Sequence, residues 1–536
     1  MSRAVLHQAK AIRRTVFNAG PAPETSDLGA AQEPQEPDTI VVPYDEARKL
    51  WDKRQEERAR KHPELAGNYS MKLSEDLDAL TLEPFFLAED RCPVFSTYKD
   101  KRYIGAGGYG VVLSAKFAGK IHAVKFQRLV RDDVANPRAA PYVELRLLQL
   151  VRELTGHWPR EPYVPRNVVM LEDWVRCKIN VRRLWQELPE KDQQRATKFM
   201  DNGNFLYQIL ILEYAIGGSL ENFMTQGDEF LDRIFEPKMF QSLFVQVFAT
   251  LRTLSRKFKF TMHDCKLGNI LLHPNQNTIQ YLRYSIGGDM EDFYVPMSYS
   301  RGVIFQLIDF GIARADIPGI AGVVSSFGRS LTYIAAHNER SDTELFATTL
   351  LRTLVTYRGL EAARNVPPNV TRVLRKCMHH LDPQELEATK RLFGADFHLA
   401  WDLDRSMDNG MPDASGQARF DFLRDYTIVR LLLAYMAGEY KLTDIPEVAA
   451  AKTAYGDSHD AELTSRIIGR IVEALDNAYL KHRGAWIQQQ RPEDRNCITE
   501  ILLDSLFIPL RLQPSEAALL QGVHHANDFV FLPPGM

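Results

Sequence analysis

Met262-His263-Asp264-Cys265-Lys266-Leu267-Gly268-Asn269-Ile270-Leu271-Leu272 sets a carboxylate, a cation and an amide at offsets 0, +2 and +5, directly ahead of an apolar run. Downstream, Asp309-Phe310-Gly311 follows the strand-like stretch Val303-Ile304-Phe305-Gln306-Leu307-Ile308, so a second carboxylate stands at the end of a second apolar strand. Far upstream lies Ile104-Gly105-Ala106-Gly107-Gly108-Tyr109-Gly110-Val111-Val112, a glycine-rich turn between stretches rich in β-branched and aromatic residues. Glycines let a backbone come close to anionic groups and present N–H donors without steric conflict. Dinucleotide folds use a similar string, but there a helix follows it, and here a strand does. On that strand, Ala123-Val124-Lys125 places a cation twenty residues after Gly105. Each signal is weak alone; their order along the chain makes them one strong signal.

The 536 residues are 45% hydrophobic and 25% charged, room for one large two-part unit with appendages or for two or three domains. A net charge of -3 offers no global basic footprint, so nucleic acid is not expected as a partner. Apolar runs stay short of the roughly 20 residues that span a bilayer, so no membrane span is expected. The five cysteines (Cys92, Cys177, Cys265, Cys377, Cys497) show no metal-type spacing and read as reduced thiols in a cytosol-like compartment.

Along the chain, a basic arm is followed by a Pro- and Glu-rich linker over 20–43 and a charged helix over 44–62. Strand signals occupy 101–113, 120–129 and 206–214; helices are expected over 141–154 and 240–258. Two polar stretches, 176–203 and 274–301, read as surface excursions. Beyond Asp342 no strand signal survives, and helices are expected over 383–393, 421–440 and 461–486.

With these motifs in this order, the chain resembles a eukaryotic-type protein kinase over about Tyr98 to Pro509. The resemblance implies an α+β, bilobal protein-kinase-like fold with a small β-rich lobe and a large, mainly helical lobe carrying insertions. The domains would then be an N-terminal extension (1–95), a small lobe with hinge (96–215), a large lobe (216–510) with a helical insertion about 358–485, and a tail (511–536). Carried over position by position, Lys125 would hold phosphate charge with Glu144, or alternatively Glu153, as its ion-pair partner. Asp264 would orient the substrate hydroxyl, Lys266 would face the γ-phosphate, and Asn269 and Asp309 would bind Mg²⁺. ATP would lie against Gly105, Gly107, Gly108, Tyr109 and Gly110, between apolar walls from Ile104, Val112, Ala123 and Leu271. Leu212-Glu213-Tyr214-Ala215 would be the hinge, with Leu212 as gatekeeper.

Departures from the family pattern are equally specific. Its HRD triplet is Met262-His263-Asp264 here, and a neutral imidazole cannot clamp a phosphorylated activation loop as guanidinium does. Its APE triplet is degraded to Ala335-Ala336-His337, which removes the usual carboxylate from Arg495, with Glu339 as a substitute. Such divergence is similar to that of protein kinases of large DNA viruses, which would place a viral protein in the host cytoplasm or virion. The expectation is ATP- and Mg²⁺-dependent phosphorylation of Ser/Thr on a protein substrate. A pseudokinase scaffold and a small-molecule or lipid kinase are the alternatives, and the oligomeric state is not legible.

Overall fold

The computed structural model describes residues 89–107, 110–129, 139–154, 167–196, 204–225, 228–275, 279–286, 291–315, 324–325, 339–378, 428–429, 431–439, 468–469, 471–476 and 497–526. Its first half contains α1 (Pro93–Ser96), β1 (Lys99–Gly107), β2 (Gly110–Phe117), β3 (Lys120–Leu129), α2 (Ala140–Leu154), β4 (Leu171–Asn180), α3 (Val181–Gln186), α4 (Glu190–Ala196) and β5 (Asn204–Glu213). The strands form one antiparallel sheet in the order β1-β2-β3-β5-β4. Side chains alternate across such a sheet with period two, so each strand feeds two faces. Val111, Leu113, Val124, Phe126, Ile209 and Ile211 bury one face in a core of their own. The register Val112↔Lys125↔Leu210 and Ala123↔Leu212 puts those residues on the other face. Leu210 and Leu212 there join the core that α2 shares with the helical remainder of the chain.

Over its described residues, 176–196, the stretch 176–203 is not a surface excursion. β4 runs on to Asn180, and α3 and α4 set Val181, Leu184, Trp185, Leu188 and Ala196 into the sheet's separate core. Arg182, Arg183, Glu187, Glu190 and Lys191 make the segment look polar, but they lie outside the core on helices too short for their apolar stripe to show. Arg176 is buried, its guanidinium stacked 4.6 Å from the Tyr142 ring. A second correction concerns the cysteines: Cys92 and Cys177 are joined in a disulfide with Cα atoms 5.9 Å apart. Eighty-five residues separate them, so linear spacing carries no trace of the bond.

The second half contains α5 (Leu220–Thr225), α6 (Asp228–Ile234), α7 (Pro237–Phe258), β6 (Ile270–Pro274), β7 (Tyr281–Tyr284), β8 (Phe293–Pro296), β9 (Val303–Leu307), β10 (Arg314–Ala315), β11 (Val324–Ser325), α8 (Glu339–Arg364), α9 (Pro368–Cys377), α10 (Cys497–Leu502), α11 (Pro514–Ala517) and β12 (Val523–His525). Helix α7 is the axis of the core. Phe240, Phe244 and Phe248 recur at i, i+4 on its buried face, with centroids 5.7 and 4.4 Å apart. Phe346 of α8 meets Phe248 edge-on at 5.2 Å, and Phe507 stacks on Phe244 at 5.3 Å.

The described parts of the stretch 274–301 are also structured, contrary to the sequence reading. β7 and β8 form a hairpin that buries Leu282, Tyr284, Phe293 and Val295. β12 adds to it in parallel through Val523↔Tyr281 and His525↔Arg283, which supplies a strand where none was expected. Three residues are too few for period-two alternation to be visible. Of the C-terminal helices, 431–436 and 471–476 are helical and bury Leu432, Leu433, Ile471 and Leu475. The helix expected over 383–393, the N-terminal arm, linker and charged helix, and the segment 333–337 lie outside the described residues, as does Arg495. No described helix is long and apolar enough to cross a membrane.

Candidate active site

Lys125 sits in the middle of β3 with its side chain on the face that looks toward α2. Its Nζ donates to Oε1 and Oε2 of Glu144, both at 2.8 Å, and to Oδ1 of Asp309 at 2.9 Å. Glu144 is fully buried on α2, where Gln127, two residues along the same strand face as Lys125, also donates to it at 2.6 Å. Gln208 of β5 then donates to Gln127 Oε1 at 3.0 Å and to the Pro141 carbonyl at 2.6 Å, tying strand, helix and neighbouring strand together. The side chain of the alternative, Glu153, lies outside the described residues. Burial alone would lower the pKa of Lys125, but the charges of Glu144 and Asp309 outweigh it and hold the ammonium above the ordinary lysine range.

The Asp264 loop is placed by what precedes and follows it. α7 ends at Lys259 in the left-handed conformation (φ 45°), and Thr261 exchanges backbone hydrogen bonds with Arg314 at 2.9 and 2.8 Å. Met262 and Phe310 are both buried in the main core, and the Phe310 ring meets Phe260 edge-on at 5.5 Å. The backbone N–H groups of Met262 and His263 donate to the two carboxylate oxygens of Asp342, at 2.8 and 2.7 Å. Asp342, from α8, thus holds the loop from beneath. Nothing in the spacing of residues eighty apart announces this contact.

After the loop, β6 pairs with β9 in the register Ile270↔Leu307, and the Ile308 amide donates to the Asn269 carbonyl at 3.0 Å. That pairing carries Asp309 to the same place as Asn269. Asn269 Nδ2 donates to the Asp264 carbonyl at 3.0 Å and to Asp264 Oδ2 at 2.8 Å, while Lys266 Nζ donates to the same Oδ2 at 2.7 Å. Burial raises the pKa of Asp264, with Lys266 opposing and Asp309 adding to the rise. For Asp309 burial pushes the same way, but Lys125 and Lys266 outweigh it and hold the carboxyl below its usual range. Lys125, Glu144, Asp264, Lys266, Asn269 and Asp309 therefore form one electrostatically coupled cluster. His263 and Asp309 both carry left-handed backbone, φ 62° and 66°, which costs non-glycine residues about 1 kcal/mol or more.

With its amide nitrogen engaged by Asp264, Asn269 keeps Oδ1 as a neutral oxygen donor, and the anionic Asp309 directly follows Ile308, whose amide is bonded to the Asn269 carbonyl. These two oxygens suit a hard cation that takes its remaining ligands from phosphate and water. Among the described residues no group of three His, Cys, Asp or Glu forms a metal site unaided.

Around the cluster, Val112 lies opposite Lys125 and Ala123 opposite Leu212, so the predicted apolar walls share one sheet face. Ile104 is exposed, and Leu271, on β6, forms an antiparallel bridge with Ser219. At Gly110 (φ 154°) a Cβ would fall 1.8 Å from the Phe126 carbonyl oxygen, so the turn into β2 requires glycine. Gly105 has open space around it, and Gly108 and Tyr109 lie outside the described residues. Ala215 is buried. Glu213, expected to serve the hinge through its backbone, has its carboxylate buried and turned into the body of the protein, onto Gln306 Nε2 at 3.2 Å. His263 is buried as well, with Nδ1 3.2 Å from Ser341 Oγ.

No protein-family model matches the sequence, and no curated protein does. A solved structure, the kinase domain of the Plasmodium protein PF14_0431, overlays 77% of this chain and 95% of its own at 15% identity, with a TM-score of 0.32. A likeness that low does not define a shared fold.

Proposed function

We propose that the chain is an ATP-dependent protein kinase that transfers the γ-phosphate to Ser/Thr hydroxyls of a protein substrate. One observation carries this reading: Lys125 bridges a buried glutamate from α2 and the carboxylate at the end of β9, beside a second carboxylate already engaged by a lysine and an asparagine. Phosphoryl transfer asks little covalent chemistry of a protein, so positioned charge is the main requirement. Lys125, fixed by Glu144, neutralises phosphate oxygens of bound ATP. Asp264 receives and aligns the substrate hydroxyl and accepts its proton, and Lys266 stabilises charge on the phosphoryl group in transit. Asp309 and Asn269 would hold Mg²⁺, which supplies further neutralisation of phosphate charge. The choice of Ser/Thr rests on Lys266 two residues after Asp264, the pattern of that branch of the family the sequence resembles.

The buried setting of His263 supports a loop held ready without a phosphorylated activation segment, since an imidazole enclosed with Ser341 is not available to bind a surface phosphate. The test is phosphate transfer from ATP to generic basic and acidic proteins and to small-molecule acceptors, using the full chain and its Asp309→Ala variant. Transfer to Ser/Thr by the wild type alone is the expected result. Nucleotide binding without transfer would instead establish a scaffold, and transfer confined to small acceptors would establish a different kinase class.

A further inference from the structure

Glu213 ends β5 at the start of the segment proposed as the hinge, yet its side chain is buried away from solvent. Oε2 accepts from Gln306 Nε2 of β9 at 3.2 Å and from the Met170 amide, just before β4, at 3.4 Å. Among the described residues Oε1 has no hydrogen-bond partner, and it faces His273 Nε2 of β6 at 3.6 Å. The other ring nitrogen, Nδ1, lies 3.0 Å from the Pro274 carbonyl oxygen. A carbonyl only accepts, so Nδ1 carries the hydrogen, and Nε2 of the neutral ring presents a lone pair to Oε1. Two acceptors therefore face each other inside the protein, an arrangement that is favourable only with a proton between them.

We propose that Glu213 and His273 share one such proton and act as a latch that positions the hinge, so that nucleotide affinity weakens as pH rises through neutrality. The idea rests on the nucleotide-binding reading of the hinge. The segment after Glu213 is already stitched to β6, since Gly217 N donates to the Leu272 carbonyl at 2.9 Å and Leu272 N to the Gly218 carbonyl at 2.8 Å. His273 is the next residue on that strand, so a change at the pair acts on the backbone that would hold adenine. A Cβ at Gly217 would meet the Leu272 carbonyl oxygen at 2.6 Å, which shows how tightly hinge and strand fit.

Among the described residues, the charged and titratable groups around the pair come from three strands. His273 is on β6, Lys120 and His122 are on β3, and Glu172 is on β4, where it is ion-paired with Lys120 and lies 2.5 Å from His122 Nδ1. From β9 only the neutral Gln306 reaches Glu213. Burial, opposed by the Met170 and Gln306 donors and by Lys120, raises the Glu213 pKa to about 7, and burial lowers that of His273. Both shifts favour the state with one proton on the carboxyl group and none on the imidazole Nε2. A carboxyl group whose folded pKa is raised stabilises the fold below its unfolded pKa and loses that contribution as pH climbs through the folded one. The window runs from the ordinary glutamate value up to about 7, so the latch is closed in mild acid and open above neutrality.

The test measures adenosine binding to the full chain at pH 6, 7 and 8, adenosine carrying no phosphate that titrates there. Wild-type affinity is expected to fall by about threefold or more from pH 6 to pH 8. Glu213→Gln keeps an acceptor for Gln306 and offers His273 a permanent hydrogen, so its affinity should stay level across the range. Glu213→Leu should bind weakly at every pH. An equal slope in wild type and Glu213→Gln, or no slope in wild type, overturns the latch. Should adenosine bind at no pH, the nucleotide reading fails separately, and the latch is judged by thermal unfolding. The wild-type midpoint must then drop relative to that of Glu213→Gln between pH 6 and 8, and parallel midpoints overturn it.

Discussion

The Nζ of Lys125 lies 2.8 Å from each carboxylate oxygen of Glu144, across the space between strand β3 and helix α2. Because Glu144 is buried and Lys125 nearly so, each needs the other: removing one leaves an uncompensated charge out of water. Lys125→Met should lower phosphate transfer at least about a hundredfold, and Glu144→Gln should lower it by less, since glutamine still accepts one hydrogen bond from the ammonium. If Glu144 acts only through Lys125, the double variant costs no more than Lys125→Met alone. Steady-state kinetics on the four proteins check this, and fully additive losses contradict it.

Asp264 must be ionised to accept a proton, and burial raises its pKa while Lys266 pulls it back. Activity should therefore fall on the acid side with a midpoint above the ordinary aspartate value of about 3.9. Lys266→Ala removes the opposing charge and should move that acid limb further up, besides lowering the rate. Asp264→Asn should abolish transfer at every pH. The pH dependence of kcat/KM for wild type and Lys266→Ala decides the matter; an unmoved limb means that some other group sets it.

Asp342 reaches the catalytic loop through the loop's backbone, accepting from the Met262 and His263 amides with its two oxygens. Asp342→Asn leaves one of those amides facing an NH₂ group, at a cost of about 1–3 kcal/mol in stability. It should also lower kcat while KM for ATP changes little, because the loop carrying Asp264 shifts and the nucleotide contacts of β3 do not. A loss confined to stability would show that Asp342 is structural alone.

Much of this site was legible because its signals are local. The placement of Lys125 on the strand after the glycine-rich turn, the Asp264–Asn269 spacing and the strand before Asp309 each rest on short stretches of sequence, and β6–β9 pairing does the rest. Partners that act across the fold were not legible. Gln127 and Gln208 look like ordinary strand glutamines until the sheet sets Gln127 against Glu144 and Gln208 against Gln127. Asp342 was not legible as the clamp on a loop eighty residues away. Glu213 was read for its backbone, while its side chain meets β6 and β9, whose positions only the tertiary fold sets. The same holds for Cys92 and Cys177, and for α3 and α4, whose buried face is too short to dominate a polar window.

Asp504 joins α9 to the C-terminal helices and gives a stability prediction independent of catalysis. Its buried carboxylate accepts from Arg372 Nε at 3.1 Å and Nη2 at 2.8 Å, and from the Leu506 amide at 2.9 Å, with Lys376 Nζ also at 2.8 Å. Burial would raise its pKa, but Arg372, the Leu506 amide and Lys376 outweigh that and hold it well below the usual carboxylate range. A depressed folded pKa contributes stability above the unfolded value of about 3.9 and loses it as pH falls toward the folded one. Asp504→Asn should therefore cost about 1–3 kcal/mol near pH 7, toward the low end because Arg372 and Lys376 are both close to half exposed. The gap between variant and wild type should narrow as pH drops below about 4, where the wild-type carboxylate also begins to lose its charge advantage. Denaturant unfolding of both proteins at pH 7 and pH 3 measures the two gaps, and a difference that stays constant would mean that shape, not charge, is what Asp504 contributes.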